Sequence, residues 1–98
     1  MYATVSYDID TGPQPIENVR SAMLALFQGR ETLDVLADTF ICHVSTTADY
    51  LELVSQLRQV GRDFPDQFQF LITLHSKGAP LRSNASFSTA KAKQIVDQ

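Results

Sequence analysis

Two carboxylates stand near the start of the chain, Asp8 and Asp10, with one residue between them. A hard cation such as Mg²⁺ or Mn²⁺ takes carboxylate oxygens, and once bound it can activate water and neutralise a phosphate. Asp8 and Asp10 are therefore the candidate metal ligands, although acids at strand ends are also common in solvated loops. His43 and His75 are candidate general bases near neutral pH. Their plainer reading is as surface or sheet-face side chains. Cys42, the only cysteine, sits among apolar residues and reads as a small buried side chain. No Cys/His cluster has zinc spacing. Gly12 is a lone glycine, not a phosphate-cradling loop. Lys77, Arg82, Lys91 and Lys93 give the C-terminal fifth a basic bias, which would meet a few phosphates or simply solvate a tail.

Asp8 is placed by the stretch Tyr2-Ala3-Thr4-Val5-Ser6-Tyr7-Asp8-Ile9-Asp10, whose alternation is that of a strand. Ala3, Val5, Tyr7 and Ile9 share one face; Tyr2, Thr4, Ser6 and Asp8 share the other. Ser6 thus points with Asp8 and reads first as a partner of the adjoining strand. Gly12, Pro13 and Pro15 end the strand, and Pro15 suits the first turn of a helix. Ile16, Val19, Met23, Leu26 and Phe27 recur at helical spacing, which predicts a helix over about 15–28 with Gly29 as its stop.

Residues 31–38 and 39–44 read as two strands joined by a tight turn near Asp38-Thr39. Thr46 or Thr47 can cap a second helix, with Asp49 favouring its dipole. Tyr50, Leu53, Val54, Leu57 and Val60 mark its apolar side, and Gly61 is expected to close it. Residues 67–74 form a fourth strand, with Phe68, Phe70, Ile72 and Leu74 on one face. A breaker-rich turn follows at His75–Pro80. The order strand-helix-strand-strand-helix-strand predicts a ferredoxin-like α+β sandwich over 1–83, a four-stranded antiparallel sheet with both helices on one face. Residues 84–98 read as a C-terminal tail or a short helix over 90–96. Tyr2, Leu36 and either Phe40 or Ile41 fall on the second sheet face, which would be open and fit for a homodimer.

At 98 residues there is room for one core. The 44% hydrophobic content argues against disorder, and the net charge of −3 argues against gripping nucleic acid by charge alone. No leader pattern opens the sequence, and its longest apolar run, Ala22 to Phe27, cannot span a bilayer. A cytoplasmic protein without a membrane partner is expected.

The Tyr7-Asp8-Ile9 tip and this strand order resemble the small CRISPR-associated adaptation nuclease subunits and their SinR-like and VapD-like relatives. The segment Leu36 to Val44 and the ending Phe70-Leu71-Ile72-Thr73-Leu74 are similar to the SinR-like group. The resemblance covers residues 2–83. It implies a homodimer in which Asp8 meets its symmetry mate and the pair binds Mg²⁺ or Mn²⁺. No organic cofactor is implied. The pattern departs from the nucleases at Thr11 to Asn18, which holds Glu17 and neither Lys nor Arg; Arg20 is the first cation. The expectation is a homodimeric relative of these nucleases, an endoribonuclease, endonuclease or weak nucleic-acid-binding subunit with Asp8 as the catalytic acid. The alternative is a catalytically silent homodimeric interaction module of a defence or toxin-type assembly. A small-ligand regulatory domain would need ligand-gripping residues that the sequence does not display.

Overall fold

A computed structural model describes residues 1–82 and 86–98. The chain runs β1 (Tyr2–Ile9), α1 (Ile16–Ala25), β2 (Thr32–Leu36), β3 (Thr39–His43), α2 (Thr47–Asp63), β4 (Phe68–His75) and α3 (Thr89–Val96). The four strands form one antiparallel sheet in the order β2-β3-β1-β4. The opening strand is therefore central, hydrogen-bonded on both sides. Among the described residues no helix is long and apolar enough to cross a membrane.

Local chemistry sets each boundary. Pro15 precedes α1 with its φ already fixed at −58°. The helix stops at Ala25, earlier than its apolar spacing predicts, because the next turns tighten. The amides of Leu26, Phe27 and Gln28 donate to Met23, Leu24 and Ala25, three residues back, and Gly29 then takes φ +76°. Thr46 caps α2 by accepting from the Asp49 amide at 3.0 Å.

Gly61 does not close α2. A Cβ there would only touch the Phe68 carbonyl at 3.8 Å, so the helix continues over it. It ends at Asp63, where the Phe64 amide bonds back to Val60 and Pro65 bars another turn. Leu36 and Thr39 flank a turn at Ala37-Asp38, and the Tyr7 amide donates to the Asp38 carbonyl at 3.0 Å.

The core has two layers of unequal size. Val19, Met23 and Phe27 from the first helical segment and Leu53, Leu57 and Val60 from α2 pack on Ala3, Val5, Phe40 and Cys42. Phe27 meets Phe40 edge-on, with ring centroids 4.7 Å apart. On the opposite face Ala92, Ile95 and Val96 of α3 cover Tyr2, Val35 and Ile41.

This second layer corrects the expectation of an entirely open face. Tyr2 and Ile41 are fully buried, and Phe40 belongs to the first layer. Ala92, Ile95 and Val96 recur at the spacing of one helical stripe, and each large apolar side chain buried contributes about 1.5–3 kcal/mol. The helix is fastened by Ser88, which caps it from the Lys91 amide, and by the Gly78 amide, which donates to Val96 at 2.8 Å. Ser83, Asn84 and Ala85, where the domain and tail were expected to meet, lie outside the described residues.

Candidate functional site

Strand pairing fixes what surrounds Asp8. Ser6 lies between Thr39 on β3 and Leu71 on β4, and Asp8 lies opposite Gln69. Leu36 of β2 stands opposite Thr39, so Leu36, Thr39, Ser6 and Leu71 form one row across the whole sheet. The hydroxyls of Ser6 and Thr39 satisfy one another at 3.0 Å. The leucines at the two ends are open to solvent, Leu36 at 54% and Leu71 at 69% exposure. Asp8 is exposed beside this row, at the rim of a shallow hollow of about 250 Å³ that Ser6, Gln69 and Leu71 help to line. Among the described residues α3 thus covers only one end of the second face and leaves the Asp8 end bare.

The residues that follow Asp8 are held in place. The Asp10 amide donates to the Gln67 carbonyl at 2.8 Å, extending the pairing of β1 with β4 beyond Ile9. The Gln67 side chain is almost fully buried and is the anchor of the loop. Its amide nitrogen donates to the carbonyls of Gln14 at 2.8 Å and Asp10 at 3.3 Å, and its oxygen accepts from the Gln14 amide at 3.1 Å. Gly12 lies over this side chain so closely that a Cβ would stand 2.6 Å from it. The glycine therefore makes room for an amide anchor.

Within one chain the oxygen set around Asp8 is small. Among the described residues no three His, Cys, Asp or Glu side chains gather as a metal site. A second copy presenting its own Asp8 would double the carboxylates, so the pair fits a shared ion better than the single chain does.

The two histidines lie elsewhere. His43 and His75 flank Tyr2 on either side in the same row. That row is six residues along β1 from Asp8, roughly 20 Å at strand rise. His75 stacks on Tyr2 with centroids 4.6 Å apart, and its Nε2 pairs with the Thr4 hydroxyl at 2.9 Å. Burial pushes the Tyr2 phenol up, and its hydroxyl donates to the Ala79 carbonyl at 2.9 Å. Burial likewise pushes the Cys42 thiol up to about 11, the reverse of what a nucleophilic cysteine needs.

The strongest ionic contact involves a residue that sequence reasoning passed over. Arg30 grips Asp49 through both guanidinium arms, at 2.8 and 2.9 Å, and also donates to the His43 carbonyl at 2.9 Å. Ser45 adds its amide and hydroxyl to Asp49 at 3.0 and 3.1 Å. These bonds, the one from Arg30 first, hold the Asp49 carboxyl well below the usual carboxylate range against an opposing cost of burial. The cluster clamps the turn after α1 to the start of α2. Asp49 was legible as a helix-dipole acid; Arg30, in an irregular stretch, carried no periodic signal.

No family model matches the chain, and no curated protein or solved structure matches it either.

Proposed function

We propose that this chain works as a homodimeric interaction module of ferredoxin-like topology. The observation behind this reading is the half-covered sheet face. Where α3 ends, two exposed leucines stand at the ends of a row whose hydroxyls already satisfy each other. That row gains by excluding water, and its two hydroxyls need no further polar partner. Of the strand residues on this face none is Lys or Arg, which suits protein contact better than contact with a polyanion. The ferredoxin-like assignment rests on the element order, the antiparallel order β2-β3-β1-β4, and α1 and α2 sharing one face. A dimer is stabilised by mass action, so the thermal midpoint should rise steadily over a hundredfold range of protein concentration. A midpoint that stays fixed over that range contradicts the reading.

A second reading is favoured by the exposure of Asp8 on that same bare end. In it the chain is a relative of the small CRISPR-associated and VapD-like nucleases, with Mg²⁺ or Mn²⁺ held between Asp8 and its mate. Asp10, two residues on and held by its amide bond to the Gln67 carbonyl, is the second candidate ligand. The ion would supply water activation and charge neutralisation. The chain's own residues supply the carboxylates, and the Gln67 anchor holds the backbone at Asp10 in position. With either ion present, RNA or DNA cleavage that Asp8→Asn abolishes while the fold survives would support it. Cleavage that persists in Asp8→Asn, or no cleavage of either polymer, sets it aside.

A further inference from the structure

Among the described residues, the outer edge of β4 carries backbone groups without a backbone partner. Along β1 the amide of Tyr7 points to the β3 side, where it meets the Asp38 carbonyl, so Asp8, Ser6, Thr4 and Tyr2 point to β4. Their partners Gln69, Leu71, Thr73 and His75 are thereby spent on β1. Phe68, Phe70, Ile72 and Leu74 must direct their N–H and C=O groups outward. Among the described residues no turn or loop backbone group bonds to Phe70, Ile72 or Leu74. The Tyr50 hydroxyl reaches the Ile72 carbonyl at 3.5 Å, a long bond that leaves a lone pair free.

The two edges of the sheet are treated differently. Edge β2 is short, is broken by a register shift between Asp34 and Leu36, and carries an acid at Asp34. These features discourage pairing with another strand. Edge β4 has eight residues, Phe-Gln-Phe-Leu-Ile-Thr-Leu-His, in unbroken register and without Lys, Arg, Asp, Glu, Pro or Gly. Its core-facing Phe70, Ile72 and Leu74 are only half buried, so the first layer of the core is left open along this edge.

We infer that β4 pairs antiparallel with the β4 of a second copy, centred on Leu71, and joins two sheets into one. This rests on the homodimer reading above but seats the contact on the β4 edge, which meets the bare sheet face only at Leu71. In this register Leu71 faces the second copy's Leu71 as a close, non-hydrogen-bonded pair, and Phe70 and Ile72 exchange both backbone bonds with their opposite numbers. Gln69 falls opposite Thr73, so no charge opposes a like charge. The half-buried Phe70, Ile72 and Leu74 supply apolar area on the helix side, as an interface on the order of 1,000 Å² requires. Three strand spacings and four residues of offset then separate the two Asp8 carboxylates by roughly 20 Å. That is too far for one ion, so this contact belongs to the interaction module and not to the shared metal.

The test is amide hydrogen exchange on the intact chain at protein concentrations where its mass is measured in parallel. The amides of Phe70, Ile72 and Leu74 should slow at least about tenfold as the dimer forms, while those of Gln69, Leu71 and Thr73 are protected throughout. Leu71→Asp should raise the dissociation constant at least about tenfold. Leu36→Asp, on the opposite edge, should leave it unchanged. A dimer whose Phe70 and Ile72 amides still exchange freely, or one that Leu36→Asp disrupts as strongly as Leu71→Asp, overturns the edge contact but keeps the homodimer. A chain that stays monomeric overturns both.

Discussion

Gly12 lies directly over the buried Gln67 side chain, with 2.6 Å between the place of a Cβ and the Gln67 Cδ. Contact at that distance forces something to move, and Gln67 cannot swing away without breaking its bonds to Asp10 and Gln14. Gly12→Ala should therefore destabilise the fold by about 1–3 kcal/mol. Gln67→Ala removes the obstacle and the anchor together. The double variant should then cost clearly less than the sum of the two single changes. Chemical denaturation of the four proteins measures this; additive losses would mean that the two residues act independently.

Acid should weaken the fold through Asp49. Its carboxyl is held below the ordinary range in the folded chain by Arg30 and Ser45. The stabilisation is thus fully present above pH 4, the unfolded range, and is lost as pH falls through the folded value. Asp49→Asn should cost about 1–2 kcal/mol at neutral pH, since both partners are largely shielded from solvent. It should also flatten the fall in stability below pH 4. A variant that keeps the wild-type acid slope would place the acid sensitivity at other carboxylates.

Removing α3 contacts should expose the second layer. Ile95 is 3% exposed and packs with Tyr2, Val35 and Ile41. Ile95→Ala should cost about 2–4 kcal/mol, the range for truncating a well-packed core side chain. A loss under about 0.5 kcal/mol in a denaturation curve would show that the helix lies loosely on the sheet.

The alternation from Tyr2 to Ile9 and the helical stripe from Leu53 to Val60 were legible because each follows a single period. The element order followed from them. Less legible was α3, whose stripe is only Ala92, Ile95 and Val96 amid Ser, Thr and Lys. Such a pattern helps only when a face such as Tyr2 and Ile41 is there to receive it. Gly61 misled because a glycine with ordinary φ need not end a helix; Pro65 did so instead. At the candidate site the position of Asp8 at a strand tip was readable. Its bare surroundings depended on where α3 stops, and the Arg30–Asp49 clamp joins the irregular turn after α1 to the first turn of α2, a contact that no single period spans. The row that sets His43 and His75 on either side of Tyr2 needed strand register, which periodicity does not supply.

The homodimer is the claim on which the proposed function stands, and its most direct test is the mass of the native chain by sedimentation equilibrium. A single chain weighs 10.9 kDa. The bare sheet end predicts a species of twice that mass at micromolar concentration, dissociating on dilution and shifted towards the single-chain mass by Leu71→Asp. A mass of one chain at every concentration up to the millimolar range would contradict it.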